Sequence, residues 1–137
     1  MKKTIGIILV IIILVLGIIV FIFTDKPVKE IKNVKSFNYH TVNGMSIYDT
    51  TRYEIDCSSR CILKVKPNGV PDDDEQEIMI TKSEVKELED ILNKYNVSKW
   101  DGFNGNDMNV LDGSSFGIII TFDDDSTISA SGYMKWP

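Results

Sequence analysis

Hydrophobic residues fall into three successive patterns along this chain. From Thr4 to Phe23 no residue is charged and seventeen of the twenty are apolar. A helix of that length rises about 30 Å, the thickness of the hydrocarbon core of a bilayer. Beyond residue 35 the pattern changes to alternation. Phe37, Tyr39 and Thr41 occupy every second position of a strand over 36–42, and Asn43-Gly44 is the strongest two-residue hairpin signal. A second strand runs to Cys57. With Ser58-Ser59-Arg60 as a three-residue loop, Cys57 faces Cys61, Ile55 faces Leu63 and Tyr53 faces Val65, all on one side of the sheet. Glu54 then meets Lys64 on the other side, a favourable cross-strand pair.

A loop over 67–77 and a short strand at Ile78-Met79-Ile80 lead to the third pattern. Thr81-Lys82-Ser83-Glu84 fits a capping box, and Val85, Leu88, Ile91, Leu92 and Tyr95 form an apolar stripe at helical spacing. Lys86, Glu87, Glu89, Asp90, Asn93 and Lys94 make up its polar face. Residues 96–115, rich in Asn, Gly and Asp, read as an ordered loop anchored by Trp100, Phe103 and Leu111. A last hairpin turns at Asp123-Asp124-Asp125, setting Phe122 against Ser126, Ile120 against Ile128 and Ile118 against Ala130. The chain stops at Lys135-Trp136-Pro137, which suggests either a docked terminus or a truncated domain. The fold class expected is α+β: a single N-terminal transmembrane helix, then a small antiparallel sheet of β-hairpins packed against one amphipathic helix. Its parts are an anchor over 1–23, a juxtamembrane stalk over 24–35 and a domain over 36–137.

The order of features over about residues 80–137 resembles an uncharacterised domain of small membrane-anchored or lipid-tethered proteins from Gram-positive bacteria. The resemblance rests on the amphipathic helix, Trp100-Asp101-Gly102-Phe103, Asp112-Gly113, the hairpin, and Ser131-Gly132 with Pro137. It implies an α+β domain outside the membrane and supplies no activity. Isoleucine outnumbers leucine and lysine outnumbers arginine, as in AT-rich genomes.

Composition sharpens the location. The whole chain is 43% apolar with a net charge of −5, yet the stalk carries +2 and residues 36–137 carry −9. So acidic a domain repels a nucleic-acid duplex, which excludes a nucleic-acid partner. The stalk lysines either lie near anionic headgroups or simply follow a spanning helix. A cleaved signal peptide has an apolar core of about 7–15 residues and small residues at its cleavage site. Val20-Phe21-Ile22-Phe23 offers none, and no cysteine follows for lipid attachment, so a retained anchor is expected. No Glu interrupts the run, unlike a pilin N-terminus. Met1-Lys2-Lys3 reads as an export start, placing the N-terminus in the cytoplasm and the domain outside, although Lys26, Lys29, Lys32 and Lys35 on the far side favour the opposite topology on a strict count.

Candidate chemistry is sparse. Cys57 and Cys61 read as a structural disulfide if the domain is exported, with two buried free thiols as the alternative and metal or redox chemistry a remote one. The spacing is not Cys-x-x-Cys, and His40 is the single histidine available for zinc. His40 points away from the Phe37/Tyr39 face and reads as a strand residue. Asp72-Asp73-Asp74-Glu75 and Asp123-Asp124-Asp125 lack the glycine of a wound calcium loop. Asp101, Asp107 and Asp112 are the weak metal candidates, within a stretch whose Asn, Asp and Gly equally suit turns. Neither a cofactor nor a catalytic set is expected. Trp100, Phe103, Tyr133 and Trp136 line a ligand groove or pack in the core. The expected function is an extracytoplasmic domain that binds a basic peptide or envelope partner. The alternatives are a small envelope hydrolase using an Asp/Glu pair and a structural subunit of a membrane complex.

Overall fold

The structure, a computed structural model, describes residues 26–43, 50–107, 109–110 and 113–137, with Asp72 described by its backbone alone. The apolar run 4–23 lies outside these residues, as do Gly44, Leu111 and Asp112. Among the described residues no helix is long and apolar enough to cross a membrane.

The domain is a mixed α+β fold. Seven strands, β1 (Val34–Asn43), β2 (Thr50–Asp56), β3 (Ile62–Lys66), β4 (Gln76–Met79), β5 (Phe103–Asn106), β6 (Ser114–Phe122) and β7 (Thr127–Tyr133), form one sheet in the order β4-β3-β2-β1-β6-β7-β5. A helix, α1 (Lys82–Lys94), covers part of one face, and short 3-10 turns occupy Asp72–Asp74 and Val97–Trp100. The sheet is not wholly antiparallel as expected: β5 runs parallel to β7, with Phe103 beside Ala130 and Gly105 beside Gly132. Residues 96–115 therefore contribute an edge strand where a loop was anticipated. Phe-Asn-Gly-Asn has no β-branched residue and no alternation, so only its neighbour makes it a strand.

The two hairpins with three-residue loops have the expected register. Ile55 faces Leu63, Tyr53 faces Val65 and Glu54 faces Lys64 across β2 and β3. Ile120 faces Ile128 and Ile118 faces Ala130 across β6 and β7. The Asn43-Gly44 turn does not hold. Val42 pairs with Thr50, Tyr39 with Tyr53 and Phe37 with Ile55, so the connection is longer than two residues. A tight turn at Asn43-Gly44 would carry Tyr53 and Ile55 beyond their inward-facing partners, and burial of matched apolar faces decides register.

The core lies between α1 and the sheet's inner face, built from Phe37, Ile55, Phe116, Ile118, Ile120, Phe122, Ile128 and Ala130 below and Val85 and Leu92 above. The helix starts where the capping box requires: the Glu84 amide donates to the Thr81 hydroxyl, and the Thr81 amide donates to the Glu84 carboxylate.

The core also takes in part of the segment expected as a stalk. Ile31 is only 1% exposed, Val34 is buried, and the 35/36 boundary falls inside β1. Asn93, assigned to the polar face of α1, receives the Ile31 N–H at 2.7 Å and donates to the Ile31 carbonyl at 2.8 Å. Glu89, from the same face, accepts the Val34 N–H at 2.8 Å. The lysines follow: Lys26 donates to the Asp101 carbonyl, Lys29 lies 4.9 Å from the Phe122 ring centroid, and Lys35 pairs with Asp125 at 2.6 Å. Three of the four stalk lysines thus engage the domain itself.

Candidate functional site

The apolar stripe of α1 is wider than one face. At 100° per residue Ile91 lies about 120° around the helix from Val85, so both cannot point into the same core. Val85 and Leu92 are buried, whereas Ile91 is 53% and Tyr95 is 64% exposed. Glu89 and Asn93, on the opposite flank, hold the 31–34 segment. The helix is thereby pinned to one side, leaving its Ile91/Tyr95 flank above an uncovered part of the sheet.

That flank, together with Phe37, Tyr39, Val97, Trp100 and Ile118, encloses an open groove of about 490 Å³. Tyr39 and Tyr53 stack at its sheet side, with ring centroids 6.5 Å apart and 27° between planes. Trp100 closes the other side, its ring edge-on to Phe116 at 6.4 Å. Burial, and secondarily the neighbouring Tyr53, raise the Tyr39 phenol above its ordinary value. The lining side chains carry no amide, carboxylate or ammonium, and their polar groups are the Tyr39 and Tyr95 hydroxyls and the Trp100 indole N–H. An aliphatic or aromatic side chain would bury its apolar surface there without leaving a charge unpaired. The Lys94 ammonium already sits 5.7 Å from the Tyr95 ring centroid, so a cation is accommodated beside this wall.

Of the aromatic residues considered for a groove from the sequence, Trp100 reaches it. Phe103 and Trp136 stack on Phe116, at centroid distances of 6.4 and 4.4 Å, and the Tyr133 hydroxyl donates to the Val110 carbonyl. Trp136 is brought back over the sheet because the chain reverses at Met134, which has a positive φ of 50°. By sequence Tyr39 is a strand residue and Ile91 and Tyr95 belong to the helical stripe, whose breadth is the signal that sets Ile91 and Tyr95 apart from Val85.

The sulfur atoms of Cys57 and Cys61 lie at disulfide distance, 2.07 Å, and close the β2–β3 turn. Asp101 and Asp107 are not brought together as ligands. The Asp101 carboxylate accepts the Ser129 amide at 3.0 Å and Asp107 accepts the amide and side chain of Asn109 at 3.1 and 3.2 Å. Asp101 thus ties its segment to β7 and Asp107 shapes a local turn, and the third candidate, Asp112, lies outside the described residues. Among the described residues no group of three or more His, Cys, Asp or Glu is placed to hold a metal ion. Both acidic runs contact bases. Glu75 forms an ion pair with Arg52 at 3.4 Å on the outer face, and Asp125 holds Lys35. His40 faces outward as expected, its imidazole lying over Gly117, where any Cβ would collide with the ring.

No protein-family model matches this chain, and no curated protein matches it.

Proposed function

We propose that this chain is a single-pass membrane-anchored protein whose extracytoplasmic domain binds a basic protein or peptide and transforms no substrate. The observation that carries the reading is the groove between α1 and the sheet, with Ile91 and Tyr95 exposed above Tyr39 and Trp100. It suits an aliphatic or aromatic anchor side chain, and aromatic-lined hollows are where binding energy concentrates. The net charge of −9 over residues 36–137 adds a long-range attraction for a cationic partner. The uncharged run 4–23 supports the anchor, and a cysteine pair at bonding distance suits an oxidising compartment.

The test is titration of the full chain, in detergent micelles, with a cationic amphipathic peptide carrying one tryptophan-free aromatic anchor. A Trp136→Phe variant leaves Trp100 as the reporter in the groove. A saturable change in Trp100 fluorescence is expected, weaker in high salt and lost in Tyr95→Ala. Absence of any change, or binding indifferent to salt, overturns the reading. Topology is read separately by protease treatment of intact cells: cleavage of the domain from outside is expected, and protection until lysis refutes the exported orientation.

A further inference from the structure

The sheet ends at β4 on one side, and among the described residues no strand lies beyond it. All four residues of β4 are exposed, with Ile78 at 47% and Met79 at 73%. An uncovered edge carrying two apolar side chains is a template for another strand, and soluble folds ordinarily blunt such edges. Charge is distributed along this one unevenly. Its leading end follows the exposed Asp73 and Asp74, while its trailing end runs into Arg60 and Lys82, which border a hollow of about 430 Å³ with Met79 and Ile80. Extended backbone continues through Thr81, whose φ and ψ are −89° and 160°, before α1 begins.

We infer that β4 is a self-pairing edge: two copies of this chain join β4 to β4 antiparallel, making one continuous sheet across a two-fold axis. A basic peptide would match only the acidic end of the edge and an acidic one only the basic end. A second antiparallel copy matches both, because the two-fold axis brings each acidic end against the other's basic end. The register follows from side-chain chemistry. Centring the pairing on Glu77 would set two carboxylates face to face, although Glu77 already pairs with Lys64 at 3.3 Å within its own copy. Centring it on Ile78 sets Ile78 against Ile78 and Met79 against the stem of Glu77, and it brings the 3-10 turn that ends at Asp74 towards the start of α1 at Lys82 of the other copy. In this register the inner faces of both copies, and so both α1 helices, lie on the same side. The strand is short, so the contact belongs to the weak, transient class, and confinement of two chains to one membrane would raise its occupancy. The groove of α1 lies elsewhere and is not covered.

The experiment is association of the full chain, labelled with donor or acceptor dye, in micelles and in phosphatidylcholine vesicles. Lys82→Glu is expected to weaken association roughly tenfold, since each substitution acts twice across the axis. Asp74→Lys alone does the same, and the two together restore it. Lys82 is the first residue of α1, where an acidic side chain favours the helix dipole. A loss of association in Lys82→Glu is therefore not attributable to unfolding, which circular dichroism verifies. Wild-type chain that stays monomeric, association unchanged by either single substitution, or failure of the charge swap to restore it overturns the proposal.

Discussion

Asn93 grips Ile31 by both of its backbone polar groups, accepting its N–H at 2.7 Å and donating to its carbonyl at 2.8 Å. One side-chain amide so replaces the two hydrogen bonds that a neighbouring strand would have offered. It allows an extended segment to lie beside a helix with its peptide groups satisfied and the Ile31 side chain in the core. If residues 4–23 span the bilayer, the domain is held within a few residues of the membrane by this clamp and by Lys26, Lys29 and Lys35, not at the end of a loose stalk.

Removal of the clamp tests its role. Asn93→Ala leaves the Ile31 N–H and carbonyl without their partners, and the expected cost is about 1–3 kcal/mol. Urea unfolding of the full chain in micelles reads it. Unchanged stability would mean that water replaces the amide and that the 31–34 segment is held by its side chains.

Two isoleucines on either side of the helix should behave oppositely. Ile31→Ala empties a fully buried site and is expected to cost about 2–5 kcal/mol. Ile91→Ala removes an exposed groove wall and should alter stability by no more than about 0.5 kcal/mol, while weakening peptide binding. Equal costs in urea unfolding would show that the groove is closed in solution.

The Cys57–Cys61 link closes a short loop, so its loss in a double Cys→Ser variant should cost roughly 2 kcal/mol on the chain-entropy model. The β2–β3 register rests on Ile55, Leu63, Tyr53 and Val65 as well, so the hairpin should survive. Unfolding midpoints with and without reductant measure the first effect, and amide-exchange protection of Glu54 and Lys64 the second.

Acid should destabilise the domain through three carboxylates in particular. The Thr81 amide and hydroxyl hold Glu84 below the usual carboxylate range, the Ser58 hydroxyl and amide lower Asp56, and the Ser126 hydroxyl and amide lower Asp124. Each binds a proton less readily folded than unfolded. Their contribution is complete above the unfolded value near pH 4 and is lost as pH falls through the lowered folded values. Lys35 and Lys64, raised by hydrogen bonds and charge attraction to Asp125 and Glu77, act in reverse. Their contribution is complete below the usual lysine value near pH 10.4 and is lost at higher pH. Thr81→Ala removes the hydroxyl but keeps the amide, so it should make the acid limb only slightly shallower, besides costing about 1 kcal/mol for the helix cap. Unfolding midpoints across pH check both.

How much was legible depended on whether a feature is local. The Cys57–Cys61 and Asp123–Asp125 turns were readable because three-residue loops with matched apolar partners admit one register. The capping box at Thr81 was readable because all its partners lie within four residues. The parallel strand at Phe103–Asn106 was not, since its identity comes from β7, a strand more than twenty residues later. Asn43-Gly44 misled because turn propensity is worth less than burying Phe37 and Tyr39 opposite Ile55 and Tyr53. The Ile91/Tyr95 groove was half legible: the stripe was visible, but which part of it stayed open depended on where Glu89 and Asn93 pinned the helix.

The amino-acid sequence by itself determined the alternation of the hairpin strands, the helix and its start, the facing of the two cysteines across their turn and the separation of charge between the apolar run, a basic segment and an acidic domain. Each follows from spacing and side-chain type within a short stretch of chain. Tertiary structure alone decided that the basic segment is part of the fold, that Asn93 and Glu89 face inward, and that an aromatic groove stays open beside them. Those outcomes rest on contacts between residues more than fifty positions apart, where backbone hydrogen bonds and core burial outweigh the local preference of a polar residue for water.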